Sequence, residues 1–273
     1  MPSPTTISLQ KFSRLVGTPK CPAIVDVRTD EDFAADPRLI PGSVRRPFAA
    51  VAEWAPALAG APAVVVCQKG LKLSEGVAAW LRHAGGEADV LEGGFAAWSD
   101  AGLPLVRADH LPPRDRAGRT VWVSRARPKV DRIACPWLIR RFVDPAAVFL
   151  FVAPTEVSAV AERFGATPFD IEGVFWSHRG EACTFDVMVE ELGLATEAML
   201  RLATIVRGAD TARLDLAPQA AGVLAVSLGL SRLHSDDLAQ LEAGMVLYDA
   251  LYLWCRDAVD EAHNWPSAKG QRR

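Results

Sequence analysis

The stretch Val64-Val65-Val66-Cys67-Gln68-Lys69-Gly70-Leu71-Lys72-Leu73-Ser74-Glu75-Gly76 decides the fold of the first half of this chain. An apolar β-branched run enters a cysteine and is followed at once by lysines, glycines and a serine. The run reads as a buried strand, and GVAAWLRHAGG behind it places Val77, Trp80, Leu81 and Ala84 at helical spacing before a double-glycine stop. Cys67 therefore stands at the carboxyl end of a strand and just ahead of a helix starting near Ser74, where ligands of open α/β sheets collect. Backbone N–H groups of such a loop and the positive end of the helix favour an anion there. Lys69 and Lys72 add charge, and together these features predict a thiol pKa below the ordinary value of about 8.5. Gly70 lets the loop turn tightly. From local physics alone, a cysteine that merely closes a buried strand remains an open alternative.

Working outward, IVDV before this unit and ADVLEGG after it are further short strands, and FAAWSDAGLP is a short helix ended by glycine and proline. The expected fold class is α/β, a parallel sheet flanked by helices, followed by a second α-rich α+β domain. Residues 108–119 gather proline, glycine and charge and read as an exposed linker between domains at 5–107 and 120–260, with a polar tail over 261–273. In the second half TVWVSR and VFLFVAP read as strands. Helices dominate from about Thr196, with a helix start at Ser235-Asp236-Asp237.

The 273 residues carry a net charge of −3, which offers no global field for nucleic acid or an anionic membrane; neither is an expected partner. The first residues lack a leader-like pattern and no apolar stretch reaches membrane-spanning length, so a cytoplasmic location is expected. Five cysteines stand singly, with no CxxC pair, which argues against a disulfide framework or a thiolate zinc site.

Five motifs in order, IVDVR (24–28), DEDF (30–33), LIPGS (39–43), CQKGLK (67–72) and LEGGFAAWSDAGLPL (91–105), make residues 5–107 resemble a single-domain rhodanese. The resemblance implies a sulfurtransferase in which Cys67 takes sulfane sulfur from thiosulfate or a similar donor as a persulfide and passes it to a thiol or other thiophilic acceptor. It also implies that Gln68, Lys69, Gly70, Leu71 and Lys72 cradle the anion. Lys72 stands where arginine is common in that family, keeping the charge without the planar fork. Asp26 and Arg28 read as an architectural charged pair at a strand end.

In the second half, Arg125, Arg127, Lys129 and Arg132 crowd ahead of a helix carrying Arg140 and Arg141. They either bind an oxyanion or pair with acidic residues. Cys135 precedes Pro136, and either caps that helix or lies in the core. SHRGEACTFD (177–186) offers His178, Glu181, Cys183 and Asp186 as ligands, but their spacing fixes no metal geometry. No metal site and no cofactor are expected. The segments RPKVDRIACPWLIRRFVDP (127–145), GATPFDIEG (165–173), SHRGEACTFD, IVRGADT (205–211), SLGLS (227–231) and YDALYLWCRDA (248–258) resemble the C-terminal domain of the chromate-resistance protein ChrB family. That resemblance implies a role in chromate or related oxyanion stress, with chromate as a further candidate ligand. A non-enzymatic oxyanion sensor on a rhodanese scaffold is the competing reading.

Overall fold

The computed structural model describes residues 5–261, so the expected polar tail, apart from Glu261, lies outside the described residues. In the first half the strands are β1 (Thr6–Ile7), β2 (Ala23–Asp26), β3 (Arg38–Leu39), β4 (Ser43–Arg45), β5 (Pro62–Val66), β6 (Glu87–Leu91) and β7 (Val106–Arg107). Five of them form a parallel sheet in the order β1-β6-β5-β2-β4, and β3 pairs antiparallel with β7 beside it. The central strand β5 explains its own composition. Val64 and Val66 pack on one face with Ile24, Leu91, Phe95 and Trp98, while Val65 and Cys67 pack on the other with Val25, Val77, Ala78 and Leu81. A parallel strand covered on both faces needs an unbroken apolar run.

The helix Lys72–His83 returns along one face, burying Val77, Ala78 and Leu81. It begins two residues earlier than the sequence reading placed it. Trp80, assigned there to the apolar face, instead points outward and meets the His83 ring edge-on. The buried face of the helix runs through Ser74, Val77, Ala78 and Leu81, and Trp80 lies off it. The helix Gly94–Asp100 covers the opposite face with Phe95 and Trp98, whose indole N–H donates to Pro104 O at 2.9 Å.

In the second half β8 (Val121–Arg125), β9 (Val148–Val152) and β10 (Thr167–Pro168) form a parallel sheet ordered β10-β8-β9. The remainder is mainly helical: Asp131–Leu138, Val157–Phe164, Thr184–Glu191, Glu197–Asp210, Ala220–Leu233 and Asp237–Leu253. Trp137 is fully buried at their centre, ringed by Phe142, Phe185, Tyr248 and Tyr252. Pro136 corrects one expectation. It lies inside the helix Asp131–Leu138 rather than at its first turn, so Cys135 is not a cap. Pro136 contributes no N–H, and just beyond it the helix loosens into the π-turn Ile139–Val143.

The two halves share packing. Leu39 of β3 and Val106 of β7 belong to the core of the second half, and Phe33, Ala108 and Leu111 pack against it. Gly42 N–H donates to Phe142 O at 2.6 Å and Arg107 N–H to Leu192 O at 3.1 Å. Residues 108–119 are pinned as they cross. Arg114 lies 3.2 Å from Asp144, His110 lies 3.0 Å from Glu191, and Asp115 accepts from Arg119 through both backbone and side chain.

Candidate functional site

Cys67 sits where β5 ends, with only 5% of its surface exposed. Ser74 Oγ lies 3.1 Å from its Sγ, and the Leu71 N–H donates to the same sulfur at 3.4 Å. Ser74 reaches that position because it occupies the buried first turn of the helix Lys72–His83, where its hydroxyl also meets Leu71 O at 3.0 Å. Burial works against the thiolate. The Ser74 hydroxyl and the backbone N–H groups of Ser74, Leu71 and Lys69 outweigh it, and the thiol pKa lies below its ordinary value. The sequence reading assigned that effect partly to the charges of Lys69 and Lys72. Both side chains are exposed, where solvent and salt screen them, and direct hydrogen bonds dominate instead.

Two glycines press the loop into shape. Gly70 has φ +67°, and a Cβ there would fall 2.4 Å from Leu91 O and 2.9 Å from Gly94 N. A Cβ at Gly94 would in turn meet Cys67 O at 2.3 Å and Gly70 N at 2.4 Å. This backbone contact carries two hydrogen bonds, Phe95 N–H to Cys67 O at 2.9 Å and Ala96 N–H to Gln68 O at 3.0 Å. Leu71 is exposed at the loop's outer edge. At the neighbouring end of β2 the Arg28 guanidinium grips Asp26 at 2.7 Å, donates to Asp36 O and Arg38 O, and stacks 3.6 Å from the Phe95 ring centroid. Both residues are buried, so the pair braces the loops around the site.

In the second half the basic run divides. Arg125 Nη2 and Arg132 Nε converge on Asp170 Oδ2 at 3.1 and 3.2 Å. Arg127 turns away to the carboxyl end of the helix Ala220–Leu233, donating to Ser231 O and to His234 O, and Lys129 lies beside it on the same surface. These four residues form no single anion cradle. Cys135 and Cys183 are both fully buried, and burial pushes both thiols up; neither is poised as a nucleophile. Cys183 caps the helix Thr184–Glu191, with Asp186 accepting from its N–H at 2.9 Å, and Glu181 pairs with Arg213 at the surface.

Of the SHRGEACTFD ligands, His178 enters a group of three carboxylates, while Asp186 pairs with Arg207 at 3.1 Å and Cys183 lies beside Asp131. The His178 Nε2 lies 3.5 Å from Asp131 Oδ2, 3.5 Å from Asp170 Oδ1 and 3.2 Å from Asp210 Oδ2. Asp131 is buried at the start of its helix and accepts the Thr184 N–H at 2.6 Å; Thr184 Oγ1 lies 3.0 Å from Asp170 Oδ1. The Asp131 carboxylate first, with those of Asp210 and Asp170, holds His178 up to about 9, while burial and mutual repulsion push Asp210 up to about 7. The group keeps protons that isolated side chains would lose. Backbone strain accompanies it: Val130 has φ +39° and Asp170 φ +51°.

A family described as the rhodanese-like domain matches residues 8–101, and one described as the ChrB C-terminal domain matches residues 122–255. The chain joins a rhodanese-like domain to a ChrB C-terminal domain. The curated Protein ChrB of Cupriavidus metallidurans is 36% identical over 156 residues, 55% of this chain, and the match spans 46% of that protein's length. Among solved structures, a rhodanese-related protein from Thermoplasma volcanium is 22% identical, with a TM-score of 0.33, over 37% of this chain and 96% of its own. A rhodanese-like domain protein from Staphylococcus aureus is 30% identical, with a TM-score of 0.32, over 36% and 95%.

For the rhodanese-like domain, the sequence reading located Cys67 and its loop but missed the role of Ser74. A serine seven residues after the cysteine, in the first turn of the following helix, was the available signal. For the ChrB C-terminal domain it missed Asp131, Asp170 and Asp210. The expectation of no metal site rested on local spacing; the fold gathers ligand atoms of Asp131, Asp170 and His178 to within 4.8 Å of one another. Among the described residues no helix is long and apolar enough to cross a membrane.

Proposed function

We propose that the chain is a sulfurtransferase that carries sulfane sulfur on Cys67. The observation behind this reading is the placement of the Cys67 sulfur at the end of β5, 3.1 Å from Ser74 Oγ and 3.4 Å from the Leu71 N, contacts that favour the thiolate. The Cys67 thiolate attacks the outer sulfur of thiosulfate, forming a new S–S bond as the original one breaks, and sulfite leaves with the bonding pair. The persulfide is left in the loop 68–72, whose N–H groups favour its charge. An acceptor thiolate then attacks the outer sulfur and takes it away, returning Cys67 to a thiolate. The match to the ChrB C-terminal domain supports an association of this chemistry with chromate or related oxyanion stress in the cytoplasm, where thiol acceptors are abundant.

Intact mass before and after thiosulfate, for wild type and Cys67→Ser, tests the proposal. Gain of one sulfur atom in the wild type alone is expected. No gain in either protein would overturn the transfer reading and leave the domain as a scaffold for binding oxyanions.

A further inference from the structure

We infer that Asp131, Asp170 and His178 of the ChrB C-terminal domain form a binding site for a divalent transition cation of the Mn2+ type, with Asp210 beside His178 at its edge. One Nε2–H can donate along one direction, yet Nε2 has three carboxylate oxygens around it at 3.2, 3.5 and 3.5 Å. Those separations are long for charge-assisted hydrogen bonds, which lie at about 2.7–2.9 Å. They are the right length for neighbours in a coordination shell: ligands bound at about 2.0–2.2 Å to one cation stand roughly 3.0–3.5 Å apart in octahedral and tetrahedral arrangements.

A second observation is independent of the cluster's acidity. Asp131 is wholly buried; its Oδ2 accepts the Thr184 N–H, and among the described residues its Oδ1 has no hydrogen-bond partner by geometry, with only the weakly donating Cys183 thiol beside the carboxyl. A buried carboxylate oxygen left with so weak a neighbour bears most of its desolvation cost, unless something positive is placed against it. The remaining oxygens are already oriented. Thr184 fixes Asp131 and Asp170, and Arg125 with Arg132 fixes the other oxygen of Asp170. Such outer contacts are what aim carboxylate ligands at a metal.

The donor set selects the cation class. Carboxylate oxygens favour hard ions and imidazole favours borderline ones, so Mn2+ and Fe2+ suit the mixture. No thiol is among the ligand atoms that gather within 4.8 Å of one another. Access is open on one side, because His178 borders a cleft of about 460 Å3 whose walls include Arg125, Asp170, Glu172 and Ser177.

The test is titration of the full chain, stripped with chelator, with Mn2+ followed by electron paramagnetic resonance, in wild type, His178→Gln and Asp170→Asn. Mn2+ binds thiolates poorly, so Cys67 does not confuse the count. One equivalent bound by the wild type, an affinity at least about tenfold weaker in each variant, and a wild-type melting temperature raised by Mn2+ are expected. Absence of saturable binding to the wild type would overturn the inference, as would unchanged affinity in His178→Gln. Circular dichroism shows whether the variants fold, and if they do not, the wild-type titration and melting shift decide by themselves.

Discussion

The Cys67 sulfur receives two contacts of different kinds, a side-chain hydroxyl from Ser74 and a backbone N–H from Leu71. Only the first can be removed by substitution without moving the chain, so Ser74→Ala isolates it. A hydrogen bond to a charged group contributes about 1.5–3 kcal/mol, most of it to the thiolate form. Cys67 has a lowered pKa, so its thiolate is lost as pH falls through that value; removing Ser74 moves the loss to higher pH. Alkylation by iodoacetamide in Ser74→Ala is therefore expected to slow about ten- to a hundredfold below both pKa values. The two rates should converge in alkali, where both thiols are ionised. Lys72→Ala, which removes an exposed charge, should change the rate by less than about twofold. Equal effects of the two substitutions across the pH range would show that lysine charge, not the hydroxyl, governs Cys67.

At the scale of elements, the loop and the helix Gly94–Asp100 are joined through touching backbones. Gly94→Ala places a methyl group 2.3 Å from Cys67 O and 2.4 Å from Gly70 N, at φ +62°. Neither neighbour is a side chain that can swing aside. A loss of roughly 1–3 kcal/mol is expected, together with failure to hold a persulfide on thiosulfate treatment, because the helix must lift off the loop. Gly102→Ala has a similar φ of +64° and nothing near its Cβ, so it should cost less and leave sulfur transfer intact. A Gly94→Ala protein as stable and active as Gly102→Ala would refute the close approach. The same contact shows why this domain was legible in sequence. Its signals are local, a β-branched run, a cysteine and a glycine pair, each specifying a neighbour on the page of the sequence. The carboxylate group around His178 leaves no such trace. Asp131, Asp170 and Asp210 come from a helix start, a loop and a helix end far apart in the chain, and no periodicity links them. Trp80 and Pro136 escaped for a related reason: which residue faces inward, and where a helix begins, were settled by packing against distant elements rather than by propensity.

On the scale of the whole molecule, the question is whether the two domains unfold as one. Leu39 and Val106 of the rhodanese-like half lie in the core of the other, and Arg107 N–H and Gly42 N–H bond across to Leu192 O and Phe142 O. The tightest point is Gly17, at φ +77°, whose missing Cβ leaves room for the Phe142 ring; a methyl group there would sit 2.3 Å from the ring's Cζ. That ring is wedged between Trp137 and Tyr252 and has no room to turn away. Scanning calorimetry of the wild type is expected to show a single transition whose van't Hoff and calorimetric enthalpies agree. Gly17→Ala should force the ring and the Gly17 turn apart and split the trace into two transitions. Backbone strain alone cannot be the cause if Gly85→Ala, at φ +86° with open space around its Cβ, keeps one transition. Two transitions already present in the wild type, or one retained in Gly17→Ala, would mean that the shared packing does not couple the domains. The ChrB C-terminal domain could not then report to Cys67 through this contact.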